Sequence, residues 1–570
     1  MMMKRTTTLA IPSRRVALVA ALAAVCCLPD VVGAVEIDTG NPDISMRWDN
    51  TVQYNLGIRA GNCDANICGN GQGAGDPTAS ASDRKFGKAG DVVTNRISDL
   101  SEMDFIYKDH WGFRVSGDAW YDQAYHNASA APDPFFQSRG LSQLPNNQYT
   151  NYIKRWNEGP SGQLLDAFAF GRVHVENVPV DIKVGQHNIY WGESIFSTVG
   201  GVADGQGPID VRSALSAPGT EAKALFLPTD QVSFSAALTD RVTLAGEYYL
   251  GWKPSMLPDG GTYFGPADFF SLGGGTLLPF IGPGVTFNGE QRPKNEMGDW
   301  GIALKLRPEW LDGSAGFYFR DYTSKFPNLV MNSPTSAVLD YTAPRTQMIG
   351  FSLSKSIAGV SVGTDITYRR NAALSTFSFA PVFTDTGLGD WHPQGDVVTA
   401  VVNGIAYFGK TPLFDSATLT AEVNYSNLLK VTHDPYHLFL GLPQNCGAGT
   451  SSPGNALDHG CPTKQEYALD VQFMPIWYSV FDGVDLKMPL FVGIGLHGNS
   501  PVPFGDNQGQ GSYSIGLTAD IRQKYTVSLA YNGFIARHSN DAAGALSNSN
   551  SSLGKYWDRN WVSLVLQTTF

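Results

Sequence analysis

The stretch Ile44–Arg59, ISMRWDNTVQYNLGIR, alternates over its whole length. Ile44, Met46, Trp48, Val52, Tyr54, Leu56 and Ile58 share one side of an extended chain, and Ser45, Arg47, Asp49, Thr51, Gln53, Asn55 and Arg59 share the other. About 16 residues is long for a globular strand. It is ample for a tilted crossing of a bilayer, which takes about 9–11. An apolar, aromatic-rich face opposite a polar one suits a strand between lipid and a polar lumen.

The same pattern recurs down the chain. GFRVSGDAWYDQAY (112–125) puts Phe113, Val115, Ala119 and Tyr121 opposite Arg114, Ser116, Asp118 and Asp122. QVSFSAALTDRVTLAGEYYLGW (231–252) and SYSIGLTADIRQKYTVSLAYNG (512–533) read as hairpins with tight turns. Short connections near 108–111, 177–179, 239–240, 308–313, 357–359, 410–413, 475–483 and 522–524 alternate with long ones near 60–91, 127–163, 193–228, 253–298, 323–343, 372–395, 430–464, 498–510 and 538–555. Short turns on one side and long loops on the other predict an all-β fold, a single transmembrane antiparallel barrel of about 18 strands, within about 16–20. Lipid leaves no partner for an open sheet edge, so the barrel must close.

Composition agrees. Charged residues make up only 16%, aromatics reach 12%, and there are 62 glycines. A basic start (Lys4, Arg5, Arg14, Arg15), an apolar run (VALVAALAAVCCL) and small residues before Ala34 read as a secretory signal over 1–34, leaving a barrel domain over 35–570. Its removal shifts the formal charge from −12 to −15, by loss of four cations and Asp30. Such acidity argues against a nucleic-acid partner. Four cysteines remain, and in an exported chain Cys63 with Cys68 and Cys446 with Cys461 read as two loop disulfides. A metal site would need all four to meet in space, so none is expected; nor is a cofactor.

Several motifs carry a resemblance. MRWDNTVQYNLGIR (46–59), SDRKF (82–86), NRISDLSEMDF (95–105), GQHNIYWGES (185–194), GQGPIDVR (205–212), PGTEAKALFLP (218–228) and WKPSMLPDGGTYFGPADFF (252–270) resemble a large family of Gram-negative outer-membrane proteins catalogued as a domain of unknown function. The resemblance spans nearly the whole mature chain and implies, by analogy, passage or handling of poorly soluble molecules. It supplies no established ligand residues.

The expected lumen faces carry Arg47, Asp49, Arg59, Arg96, Glu102, Asp104, Arg114, Asp118 and Asp122, with Arg172, His174, Glu176, Arg320, Asp365, Arg369 and Glu422 further on. Mixed signs argue against a one-sign selectivity ladder. They read either as ion pairs that stiffen the wall or as a polar constriction. Clustering in the first three strands places the expected constriction there. The loop 193–228, with Asp210, Arg212, Glu221 and Lys223, is a candidate to fold into the lumen. The loop 253–298 contains Phe269, Phe270, Leu272, Leu277, Leu278, Phe280 and Ile281, an apolar stretch that would form a lid or capture an apolar ligand. No nucleophile constellation stands out: Gly192-Glu193-Ser194 lacks the following Gly of a nucleophile elbow, so no enzyme is expected. The closing stretch WVSLVLQTTF (561–570) reads as a last strand with Val562, Leu564 and Leu566 toward lipid. Phe570 then lies at the periplasmic interface and resembles the terminal aromatic read by barrel-assembly machinery. The expected reading is a channel for small hydrophobic or amphipathic solutes in outer-membrane lipid. A hydrophilic porin, or a surface barrel acting as adhesin or receptor, is the alternative.

Overall fold

A computed structural model describes residues 35–64, 85–129, 144–197, 199–216, 222–266, 276–277, 285–377, 380–382, 390–446, 457, 460–540, 546–549 and 556–570. The signal stretch 1–34 and most of the apolar loop segment lie outside these residues.

Eighteen antiparallel staves close into a barrel. They are β1 (Ile44–Arg59), β2 (Val92–Tyr107), β3 (Trp111–Asp122), β4 (Ser161–Val175), β5 (Val178–His187), β6 (Thr229–Thr239), β7 (Val242–Tyr249), β8 (Trp300–Leu306) and β9 (Gly313–Tyr322). The second half comprises β10 (Thr346–Ile357), β11 (Val360–Ala373), β12 (Gln394–Phe408), β13 (Ser416–His433), β14 (Gln465–Phe481), β15, β16 (Gly511–Ile521), β17 (Tyr525–Ile535) and β18 (Trp561–Thr569). Stave β15 is two pieces, Val484–Lys487 and Leu490–His497. Pro489 cannot donate to the ladder there, but its carbonyl still accepts from Gly516 N at 2.9 Å. Closure is β1 against β18, from Thr51↔Thr569 to Arg59↔Trp561. Beyond it, Asn50 and Phe570 exchange backbone bonds of 2.7 and 2.9 Å.

The turns obey hairpin chemistry. Lys108 and Asp109 both hold positive φ, 51° and 58°, the sense that matches strand twist. Nine long loops leave the opposite end: L1 (60–91), L2 (123–160), L3 (188–228), L4 (250–299), L5 (323–345), L6 (374–393), L7 (434–464), L8 (498–510) and L9 (536–560). L4, L5 and L6 build a second sheet of five short strands, including Val285–Gln291, Asn328–Ser333 and Ser336–Asp340, which sequence reading left as loop. In L7, Cys446 is bonded to Cys461. Cys63 is disulfide-bonded, and Cys68, its expected partner, lies outside the described residues.

Along β1 the polar face (Asp49, Thr51, Gln53, Asn55, Arg59) is buried inside, while Trp48 faces out. The exterior carries Ile97, Phe113, Val115, Leu164, Phe317, Ile349, Ile366, Val423, Leu517 and Leu529, all exposed. In water such a surface would be untenable. A closed barrel with an apolar, aromatic-edged exterior belongs in the outer membrane.

Candidate functional site

Inside the barrel, alternation delivers Glu247 from β7, Arg320 from β9, Asp365 and Arg369 from β11, Asn403 from β12 and Glu422 from β13, all buried. L3 lies against this wall. Its run GESIFSTVGG (192–201) has few side chains able to satisfy its own backbone, so its N–H groups need outside acceptors. Glu422 accepts from Ile195 N (2.6 Å), Phe196 N (3.1 Å) and Ser197 N (2.6 Å). Asp365 accepts from Glu193 N (2.9 Å) and Val202 N (3.0 Å). Arg320 donates to the Val202 carbonyl at 3.0 Å and to Glu247 at 2.9 Å. Arg369 donates to Asp204 at 2.6 Å, and Tyr322 OH donates to the same carboxylate at 2.8 Å. These wall charges are therefore bound to a loop lying in the lumen. Each buried donor left unmet would cost about 1–3 kcal/mol, so together they hold L3 firmly.

L4 crosses to the far wall. Its segment 252–266 leaves β7 and reaches the ends of β18 and β17, seven and eight positions around the ring. There Arg559 Nη1 donates to the Tyr263 and Gly265 carbonyls at 2.6 and 2.8 Å. Phe264 packs edge-on against Trp561 at 4.9 Å, within a cluster that includes Phe86, Tyr125, Tyr149, Phe534 and Tyr556. Midway, L4 is tied to L3: Met256 N donates to the Ile209 carbonyl (2.8 Å) and Val211 N to the Met256 carbonyl (2.9 Å).

The residues expected for a constriction separate into three levels. Near the periplasmic end, Arg114 pairs with Asp104 at 2.6 Å and Arg47 with Asp49, with buried Glu102 on the same face. In the middle, Arg96, Asp118, Asp122, Asp210 and Arg212 gather around a stack: Arg96 lies 4.9 Å from Trp120, Trp120 stacks on Trp156 at 5.5 Å, and Arg212 covers Trp156 at 4.4 Å. Arg212 also pairs with Asp210 (2.9 Å) and with Asp259 of L4 (3.8 Å). At the outer end, Arg59 pairs with Asp558 at 2.8 Å. Sequence reading placed the main clustering on β1–β3. The contacts that bind the inserted loop are mostly on β7–β13, and alternation had already exposed their residues as inward. Glu221, Phe269, Phe270, Leu278 and Phe280 fall outside what is described, as do the side chains of Lys223 and Leu277.

The two ends of the lumen differ. Toward the periplasm the Arg172–Asp181 pair is 44% and 52% exposed, whereas Glu422, Asp365 and Arg320 are fully buried. Burial pushes the Asp259 carboxyl of L4 up to about 6, and the Asp506 carboxyl of L8, facing Glu422, is pushed up as well. Apolar side chains line the remaining space. Tyr190 and Phe226 meet at 5.0 Å and share a small cavity with Asp204, Lys325 and Phe326. Phe326 stacks on Phe504 at 4.7 Å. Tyr190, Ile195 and Phe504 are 48%, 42% and 43% exposed.

The chain is an outer-membrane β-barrel with loops folded inward. Residues 15–570 match the family described as Protein of unknown function (DUF1302), and the chain belongs to it. No curated protein matches. Among solved structures it is similar to OccAB3 of Acinetobacter baumannii (10% identity, TM-score 0.41, 92% of this chain and 99% of that one). It is also similar to glucuronate-bound OccK2 (OpdF) of Pseudomonas aeruginosa (9%, TM-score 0.39, 92% and 97%). The outer membrane channel DcaP of A. baumannii matches at 9% identity and TM-score 0.36, over 95% and 100%.

Proposed function

We propose that this protein is an outer-membrane channel for small amphipathic or hydrophobic molecules, and that L3 is its constriction. The observation that carries the reading is the lumen itself: a polar wall on which L3 is docked by buried charges, with Tyr190, Ile195, Phe226, Phe326 and Phe504 gathered on the inserted loops. Apolar side chains left partly exposed inside a polar tube offer a binding surface to a solute with an apolar part. Asp204, Arg369 and Lys325 beside them provide polar contacts for its other end. No catalytic step is assigned. Phe570, paired with Asn50 at the periplasmic end, serves recognition by the assembly machinery in this reading, and residues 1–34 serve export.

Planar-bilayer conductance combined with liposome uptake tests the proposal. Uptake of an apolar or amphipathic probe above that of protein-free vesicles, with slow passage of sugars, supports it. Free passage of sugars would identify a hydrophilic porin. A barrel that passes neither ions nor any probe would leave a surface protein and end the transport reading.

A further inference from the structure

The outer face carries a charged feature separate from the lumen. Trp300, Asp321 and Gln347 stand side by side across β8, β9 and β10. All three point outward, because their neighbours Gly301, Arg320, Tyr322, Thr346 and Met348 are buried toward the lumen. Arg345 pairs with Asp321 at 2.7 Å and with Asp299 at 3.3 Å. It also donates to the Gly298 carbonyl. A Cβ on Gly298 would lie 3.7 Å from the hydroxyl of Tyr248, another outward residue. Arg345 therefore sits at the lipid-facing rim.

Above this row opens a cavity of about 550 Å³, lined among others by Arg292, Lys294, Met297, Arg345, Asp390 and Trp391. That is the size of a small-molecule site. Three cations line it against one acid. Glu290 and Glu296 hold Arg292 at 2.6 and 3.6 Å. Lys294 has no ion-pair or hydrogen-bond partner among the described residues. Directly beneath lies a lipid-facing apolar strip: Trp300, Ile302 and Ile349 are exposed, and Trp300 packs on Phe319 at 5.3 Å.

We propose that this cavity binds the phosphorylated headgroup of an outer-leaflet lipid. Phosphate oxygens accept from the Lys294 ammonium and from N–H groups of Arg292 and Arg345 that their carboxylate partners leave available. Arg292 meets Glu290 through Nε and Glu296 through Nη1, and Arg345 meets Asp321 through Nε and Asp299 and the Gly298 carbonyl through Nη2, so the Nη2 group of Arg292 and the Nη1 group of Arg345 are the donors left for a phosphate. The carboxylates hold each guanidinium in place for the ligand. A soluble phosphate compound could use the same cations. Only a lipid also covers the strip of Trp300, Ile302, Phe319 and Ile349, which is joined to the cavity through Arg345 of its lining and Asp321 beside Trp300.

The test uses the full-length protein in detergent and native mass spectrometry. The probes are lipid A with both phosphates, the same glycolipid dephosphorylated, and inorganic phosphate. Lipid A should be retained, and loss of its phosphates should weaken retention about tenfold or more. Lys294→Glu with Arg292→Gln should weaken it to a similar degree, leaving conductance and heat-modifiability unchanged. Trp300→Ala should reduce retention of lipid A without giving any affinity for inorganic phosphate. Equal retention of the dephosphorylated glycolipid, or indifference to Lys294→Glu, overturns the site. Displacement of lipid A by millimolar inorganic phosphate overturns the lipid assignment in favour of a soluble anion.

Discussion

L3 and L4 both enter the barrel, but they are held in different ways. L3 lies on the near wall and is bound along its backbone by buried charges, with Glu422 and Asp365 together taking five of its N–H groups. L4 spans the opening and is bound midway to L3 through Met256 and Asp259, and at its far end by one guanidinium and an aromatic cluster. A backbone bound at many points by side chains from several staves cannot leave one contact at a time. A strap with a separate hold at its far end can lose that end first. On the proposed channel reading, L3 is the fixed narrowing and L4 a closure that can open.

The largest effect is expected at Glu422. Glu422→Ala leaves three backbone donors without acceptors in a buried setting, at about 1–3 kcal/mol each. The 195–197 part of L3 should loosen while Asp365, Arg320 and Arg369 hold the rest, and single-channel conductance should rise measurably while the heat-modifiable barrel band persists. Glu422→Gln keeps an acceptor oxygen and should fall between. If Glu422→Ala barrels assemble and conduct like wild type, L3 does not narrow the pore.

Arg559→Met comes next. It removes two charge-assisted bonds to the Tyr263 and Gly265 carbonyls, worth roughly 1.5–3 kcal/mol each, but keeps the aromatic packing around Phe264 and Trp561. The expected outcome is more frequent open events in bilayer recordings at unchanged open-state conductance. A change in conductance with unchanged open probability would reverse the roles assigned to the two loops.

The barrel was legible because its rule is local. Period-two alternation sorts wall residues in and out, and loop length sorts the ends. The same alternation identified Asp365 and Glu422 as inward. It could not tell that their partners are backbone N–H groups, since Ile195 and Glu422 are 227 positions apart and a backbone donor leaves no trace in residue identity. The one available signal was GESIFSTVGG itself, a long stretch poor in side chains able to satisfy it. Clustering of charges on β1–β3 drew the expected constriction to that wall. There, however, four of the nine charges satisfy one another, Arg114 with Asp104 and Arg47 with Asp49. The five-stranded loop sheet was invisible for a different reason: its strands are short, and two of its pairings join loops far apart in the chain.

Arg212 joins the two loops, since it belongs to L3 and pairs with Asp259 of L4. Arg212→Met should keep the packing on Trp156 and lose both ion pairs. A smaller rise in open probability than for Arg559→Met is expected. When both are replaced, the effects should fall short of additive if they act on the same strap. Full additivity would mean that Arg212 steadies L3 alone.

The smallest effect is a pH dependence of the strap. Asp259 is buried beside Asn157, which donates to it at 2.8 Å, and near Arg212 and Asp210. Burial raises its carboxyl from 3.8 to about 6, because desolvation disfavours the charged form more than Arg212 favours it. The docked strap thus binds the proton more tightly than a released one. This contribution to docking is complete below the ordinary carboxyl value and fades as pH rises through about 6. Open probability should therefore climb between pH 4 and pH 6.5 and level off above. Asp259→Asn keeps the contact with Asn157 and cannot ionise, so it should flatten that climb. The Asp506 carboxyl on L8, which faces Glu422, is also pushed up and would leave a residual slope. A slope undiminished in Asp259→Asn would place the proton on L8 rather than on the strap, and acid closure would then belong to a third loop.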